Sequence, residues 1–200
     1  MKKVLSIALL ILLTATLFVG CGGDASEDII GTWSSTTDIS KSVNEKINAT
    51  GALKEALSVK DFERVTIVTY REDGYYEIKT DMNALANTFT AAKSKMKSNL
   101  IKTFASEANV NSALEASGMN IDSFVESIFS EAVMREIAGT PVAGKYEVDG
   151  DKLYLSATID SKIDKNSYIE IDCSDDELIY EEYVGDGMDD LKKQKYTRVK

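Results

Sequence analysis

Acidic side chains are the most numerous groups in this chain that could do acid–base chemistry. The segments Asp175-Asp176, Glu181-Glu182 and Asp189-Asp190 each place two carboxylates side by side in the sequence. Neighbouring side chains on a strand point to opposite faces, so the glutamate pair cannot easily share one site. The two aspartate pairs fall in predicted turns, where we expect solvated side chains. None of these pairs therefore predicts a general acid working with a general base.

Several classes of chemistry are excluded by what the sequence lacks. The chain has no histidine, which removes histidine-dependent triads and histidine zinc sites. It has no nucleophile elbow, phosphate-binding loop or Gly-x-Gly-x-x-Gly segment. The acidic segments 172–176 and 186–190 do not match a calcium-binding loop. We therefore expect no catalytic residue, no metal, no cofactor and no enzymatic activity.

The N-terminus has the layout of an export signal. Lys2 and Lys3 precede an apolar run over residues 4–19, which is shorter than a membrane-spanning helix prefers. The segment Leu17-Phe18-Val19-Gly20-Cys21 follows. It resembles the lipobox of bacterial lipoproteins, although Phe18 stands where that pattern usually has leucine.

The lipobox resemblance implies cleavage before Cys21 and a diacylglycerol thioether on its sulfur. Residues 1–20 are then a signal peptide, residues 21–28 a lipidated tether, and residues 29–200 the domain. Two acyl chains hold a protein on a bilayer stably, whereas one holds it only marginally. We therefore expect a lipid-anchored protein on the extracytoplasmic side of the cell membrane.

Net charge limits the expected binding partners, and cysteine content limits the possible disulfides. The whole chain carries −10, and loss of the two leader lysines would bring it to −12. An acidic domain is repelled by nucleic acid, which we therefore exclude as a partner. With Cys21 lipidated, Cys173 has no partner for an intramolecular disulfide, and its alternation with Ile169 and Ile171 predicts a small buried side chain.

Alternating aromatic and β-branched residues predict about eight strands. Three pairs of strands are separated by turn sequences, of which Asp73-Gly74 and Asp149-Gly150 are strong hairpin signals. An antiparallel meander of this kind can close into a barrel and remove its exposed edges. The predicted strands lie near residues 29–35, 62–71, 75–80, 144–148, 152–157, 167–173, 177–184 and 195–199.

Apolar residues at helical spacing interrupt the strands twice. One or two short helices, broken near Gly51, are predicted between the first two strands. Residues 81–139 are predicted to hold three helices, the second ending at Gly118 and the third running from Ile121 to Gly139. The expected fold class is therefore α+β, an antiparallel meander or barrel with a helical insertion between strands 3 and 4.

The two ends of the domain resemble the calycin superfamily, which contains the lipocalins and the intracellular fatty-acid-binding proteins. Ile30-Gly31-Thr32-Trp33 opens the domain, and Tyr196-Thr197-Arg198-Val199-Lys200 closes it. The resemblance implies that Gly31 permits close backbone approach, Trp33 plugs the barrel floor and Arg198 packs across the Trp33 ring. Lipocalin-like domains of bacterial lipoproteins show a similar Gly-Thr-Trp start, whereas the insertion has no counterpart in lipocalins.

Alternation on two strands suggests a ligand-lining set. Tyr76 and Ile78 on one strand and Tyr154 on another are the candidate ligand-binding residues, although aromatic side chains in a barrel of this size usually fill it. The leading hypothesis is a non-enzymatic module that binds a small apolar or envelope-derived ligand. The alternative is a structural or protein-interaction component of the cell envelope that uses the helical insertion as its interface.

Overall fold

The computed structural model describes residues 25–49, 51, 53–184 and 190–200, without the side chains of residues 182–192. The predicted signal peptide, Cys21 and most of the tether lie outside these residues. No helix in the described ranges is long and apolar enough to cross a bilayer.

The strands form a closed antiparallel barrel in which each strand pairs with the next one along the chain. The first and last strands close it, with Trp33 opposite Arg198. The predicted α+β fold with about eight strands is confirmed. The strands are β1 Gly31–Asp38, β2 Glu63–Tyr70, β3 Tyr75–Thr80, β4 Val142–Asp149, β5 Lys152–Leu155, β6 Ile169–Cys173, β7 Glu177–Val184 and β8 Asp190–Arg198.

The last strand begins at Asp190 rather than near Lys195, where the sequence pattern placed it. Its first half shows little apolar alternation, and Lys193 in that half bonds to Glu181 of β7. Further along the strand, Lys195 lies against Glu177 of β7. Cross-strand ion pairs therefore extend a ribbon that hydrophobicity alone does not reveal.

Helices are present in both predicted places, and the insertion between β3 and β4 is confirmed. One further short helix was not predicted. A short helical turn, α1, precedes β1 and contacts β4 and β6. The helices are α1 Ala25–Asp28, α2 Ser40–Ile47, α3 Leu53–Leu57, α4 Met82–Phe104, α5 Glu107–Leu114, α6 Ile121–Ile128 and α7 Glu131–Ala138.

The insertion holds four helices, so the prediction of a single helix from Ile121 to Gly139 is wrong. Phe129 leaves the helical conformation at φ −109° and ψ 46°, and Ser130 caps the next helix by accepting from the Val133 N–H. The break lets the buried Phe129 ring stack 6.2 Å from Phe62. An aromatic core contact therefore outweighs the helical periodicity.

Two separate hydrophobic clusters stabilise the molecule, one inside the barrel and one among the helices. The barrel cluster comprises Ile29, Trp33, Val68, Tyr70, Tyr76, Tyr146, Leu153, Ile171, Leu178, Tyr180 and Tyr196. The helical cluster comprises Val43, Ala56, Leu57, Val59, Phe62, Leu85, Phe89, Ala92, Met96, Leu100, Val110, Ile121, Val125 and Phe129.

Gly144 marks the tightest backbone approach inside the barrel. A Cβ atom there would lie 2.4 Å from the Ser156 carbonyl oxygen and 2.8 Å from Cε1 of Tyr76. Overpacking of this kind typically costs about 1–3 kcal/mol. We expect Gly144→Ala to lower the free energy of unfolding by about 2–3 kcal/mol in urea denaturation.

Gly118→Ala is the matched control for this substitution. Gly118 has φ +70° but open space around its Cβ position, so only backbone strain of about 1 kcal/mol is expected. Equal losses in the two variants would show that the crowding at Gly144 has no energetic effect.

Candidate ligand site at the open end of the barrel

One end of the barrel is closed by Arg198. Its guanidinium carbon lies 4.2 Å from the centre of the Trp33 ring. The group donates to the carbonyl oxygens of Ile30 at 2.8 Å and Asp28 at 2.5 Å, and also to that of Asp175. The side chain thus ties the segment before β1 to the turn between β6 and β7. We call this the closed end.

Gly31 makes room for this arrangement. A Cβ on Gly31 would lie 2.6 Å from Nη1 of Arg198, and its φ of +142° is one that L side chains rarely adopt. The Trp33 indole N–H donates to the Ile29 carbonyl at 2.8 Å, which fixes the ring inside the closed end. These residues position the barrel floor and leave no room there for a ligand.

Tyrosine rings fill the middle of the barrel. The rings of Tyr70 and Tyr146 lie 4.8 Å apart between centres, and those of Tyr180 and Tyr196 lie 4.7 Å apart. The hydroxyls of Tyr70 and Tyr180 are hydrogen-bonded to each other. Burial raises the pKa of Tyr70 and that of Tyr180 well above the ordinary value, so both rings stay neutral.

A cavity of about 290 Å³ opens above these rings, at the end of the barrel opposite Arg198. The antiparallel pairing of β1 and β2 places Thr37 beside Arg64 at this cavity. The inward-facing pair Ser35 and Thr66 lies two positions further into the barrel. Among the residues that the structure describes, the lining combines one cation with hydroxyl, amide and apolar groups. These residues are Thr37, Arg64, Thr66, Ile169, Tyr180, Gln194 and Tyr196.

Arg64 is the chemically distinctive group in this cavity. Its Nε atom is buried and has no hydrogen-bond partner. Within the described part of the chain, the Arg64 side chain forms no ion pair. Burial raises the pKa of the nearby Tyr196, and the Arg64 charge opposes that effect. An unpaired buried donor costs about 1–3 kcal/mol, more when charged, so the site favours an oxyanion or carbonyl ligand.

Gln194 is a second polar side chain at this end, and it is held in place by a hydrogen bond. Gln194 donates through its amide nitrogen to the buried hydroxyl of Ser35. Its own carbonyl oxygen is thereby oriented, and Thr37 and Thr66 offer hydroxyls on the neighbouring strands. Such a set provides both donors and acceptors around one guanidinium, as small-molecule sites commonly do.

The three residues predicted to bind a ligand do not come together. Tyr76 belongs to the barrel cluster, its hydroxyl donates to the Ser156 carbonyl at 2.8 Å, and Ile78 packs against the same cluster. Neither lines the cavity. Tyr154 lies on the outer face of β5, 5.9 Å from the Tyr168 ring and 4.5 Å below the Lys165 ammonium.

Arg64 was not among the predicted site residues. Val65, Ile67 and Thr69 alternate along β2 but are only partly buried. The fully buried residues of this strand are Val68 and Tyr70, and α4 contacts the strand. Arg64 lies on the same face of β2 as the buried Val68, because both are at even-numbered positions. A charged residue on the face that carries the buried residues is the signal that could have identified Arg64.

Cys173 lies at the closed end as a free, half-buried thiol that packs against the barrel cluster. Burial raises its pKa to about 11, which keeps it protonated at neutral pH. A thiol of this kind is a poor nucleophile. No group of three or more Cys, Asp or Glu residues is placed to hold a metal ion in the described ranges.

No protein-family model matches this chain, and neither do any curated proteins or solved structures. The class that the structure defines is a closed eight-stranded antiparallel β-barrel with a helical insertion, compatible with a lipocalin-like fold.

Proposed function

We propose that this chain is a lipid-anchored, extracytoplasmic binding module of the lipocalin-like type, without enzymatic activity. It holds a small ligand in the cavity at the open end of the barrel. The observation that carries the proposal is the unpaired guanidinium of Arg64, buried at its Nε inside a cavity of about 290 Å³.

The lining supports a ligand with one polar end. Tyr180, Tyr196 and Ile169 offer apolar surface, while Arg64 and Gln194 offer polar groups. The volume is close to the lower limit of about 300 Å³ for small-molecule pockets. We therefore propose a compact ligand with an apolar body and a carboxylate, phosphate or carbonyl group against Arg64, rather than a wholly apolar one.

Native mass spectrometry of the full chain extracted from membranes tests both parts of the proposal. We expect a covalent mass increment of a diacylglycerol, lost in Cys21→Ser, which also releases the protein from the membrane. We also expect a smaller non-covalent adduct at the barrel cavity. Protein released without lipid would overturn the anchoring, and wild-type protein without an adduct would overturn the ligand.

Two matched substitutions on β1 locate the adduct. Thr37→Phe fills the cavity, whereas Thr36→Phe places the same ring on the exposed outer face. We expect Thr37→Phe to lower adduct occupancy at least tenfold and Thr36→Phe to leave it unchanged. Equal occupancy in the two variants would place the ligand elsewhere and contradict the proposed site.

A further inference from the structure

The lysines of α4 lie on two flanks of the helix with different partners. On one flank, Lys93 donates to Glu126 at 2.6 Å, and Lys97 donates to Asp122 at 2.8 Å. Lys97 also lies 3.4 Å from Glu107. This flank is therefore neutralised by acidic residues of α5 and α6.

The opposite flank of α4 faces α3 across an open groove of about 820 Å³. Lys95, Asn99 and Lys102 follow one another at helical spacing along this side. Lys54 of α3 and Lys60, just after α3, line the other side. We call this surface the lysine groove, defined by Lys54, Lys60, Lys95, Asn99, Lys102 and Thr103.

Most of the positive charge in the lysine groove is not neutralised. Lys95 has a carboxylate neighbour, Asp61, at 3.8 Å, which is a loose contact. Lys54, Lys60 and Lys102 form no ion pair within the described residues. Glu55 is the one carboxylate among the described residues that line the groove. Four lysines thus line one concave surface of a chain whose net charge is −10.

Concave clusters of like charge are costly unless a counter-charge binds them. Neighbouring ammonium groups repel, and a concave low-dielectric wall concentrates their field on whatever enters the groove. Lysine binds phosphate and carboxylate as a compact point charge with three donors. The nearby Asn99 and Thr103 side chains add neutral hydrogen-bonding groups along the same path.

The position of the groove favours a polymer over a lipid surface. Both α3 and α4 adjoin the Asp38–Glu63 end of β1 and β2, whereas α1 and Gly31 lie at the other end of these strands. The first described helix, α1, therefore lies at the end of the barrel opposite the groove. A concave site between two helices also suits an extended chain better than a flat bilayer.

We infer that the lysine groove binds a segment of a linear polyanion whose repeating groups are phosphates or carboxylates. The acidic net charge opposes the approach of nucleic acid and other polyanions at long range, so this binding rests on the positive charge local to the groove. The binding is independent of the Arg64 cavity, because the two sites share no lining residue. The inference adds a second binding activity to the proposed small-ligand site and does not depend on it.

Titration with labelled inorganic polyphosphate tests this inference. A parallel titration with poly-glutamate, a polymer of carboxylates, shows which of the two anions the groove prefers. With four lysine contacts and a slope of about −0.7 per contact, affinity should fall roughly 50-fold between 50 and 200 mM salt. Neutral dextran should not bind. Vesicles of anionic phospholipid that bind more tightly than either polymer would overturn the choice of a polymer.

A charge-neutralising pair supplies the matched comparison. We expect Lys54→Gln with Lys102→Gln to weaken polymer binding at least tenfold and to halve the salt slope. Lys145→Gln with Lys162→Gln removes the same charge at sites that, in the described chain, lack ion pairs and lie outside the groove. Equal weakening by the two double variants, or polymer binding unaffected by either, would contradict the inference; unchanged thermal midpoints show that both remain folded.

Discussion

Replacing Arg198 with alanine is expected to lower the free energy of unfolding by about 3 kcal/mol. The substitution removes three hydrogen bonds from a charged donor and the contact with the Trp33 ring. It leaves the carbonyls of Asp28 and Ile30 without their donor. A stacked cation on tryptophan alone contributes about 0.5–2 kcal/mol. Urea denaturation monitored by Trp33 fluorescence measures the loss.

Two companion variants separate geometry from charge. Arg198→Lys keeps the cation, but one ammonium cannot span three carbonyls, so an intermediate loss of about 1.5 kcal/mol is expected. Arg71→Ala removes an exposed arginine paired only with Asp73 and placed 5.9 Å from the Tyr75 ring, and should change stability by less than about 0.5 kcal/mol. Indistinguishable results for Arg198→Ala and Arg71→Ala would refute the role assigned to the closed end.

Alkaline pH is expected to unfold the protein steeply. Burial raises the pKa of Tyr70 and Tyr180 far above that of an unfolded tyrosine, near 10. Above pH 10 the unfolded chain loses these protons while the folded chain keeps them, so stability falls as pH rises. The two groups together contribute a slope that approaches roughly 2.7 kcal/mol per pH unit. Tyr76, Tyr146 and Tyr196, whose pKa values are also raised by burial, add to it.

The double variant Tyr70→Phe with Tyr180→Phe isolates this effect. At pH 8 its free energy of unfolding should be about 1 kcal/mol lower than that of the wild type, because the hydrogen bond between the two hydroxyls is lost. Between pH 10 and about 11.5, however, its stability should fall less steeply with pH. Tyr168→Phe, at a ring that is 45% exposed, should follow the wild type at every pH. Urea midpoints measured across this range provide the comparison, and parallel pH profiles for all three proteins would contradict the explanation.

Local chemistry made the hairpins of the barrel predictable. Asp73-Gly74 and Asp149-Gly150 were read as turns that need positive φ, and Gly74 and Gly150 adopt φ of 78° and 63°. The bounds of β3 and β7 were predicted correctly. The Asp73-Gly74 turn precedes β3, and the polar segment Ser174-Asp175-Asp176 precedes β7. Turn residues act over a few positions and therefore need no knowledge of the rest of the fold.

Features set by distant contacts were not predictable in the same way. The helix break at Phe129 depends on the Phe62 and Phe89 rings, which come from other elements. The predicted ligand residues Tyr76 and Tyr154 lie on opposite faces of the barrel wall, Tyr76 inside and Tyr154 outside. The pattern of one strand does not reveal how its faces relate to those of another strand.

The candidate cavity lies at the junction of β1, β2, β6, β7 and β8, which explains why its residues escaped prediction. Thr37, Arg64 and Gln194 are distant in sequence, and only the closed register brings them together. Each residue alone has an ordinary type for a strand near solvent. An unpaired guanidinium becomes informative only once its neighbours are known.

The insertion between β3 and β4 also shapes how the chain reaches its folded state. Tyr76 pairs with Gly144 across it, and closing a loop of roughly 60 residues instead of a four-residue turn costs about 2.4 kcal/mol of chain entropy. Helices α4 to α7, which form through contacts near in sequence, shorten that search before the strands meet. The β6–β7 and β7–β8 hairpins, whose partners are near in sequence, are therefore expected to form before β3 meets β4 across the insertion and before Trp33 of β1 meets Arg198 of β8.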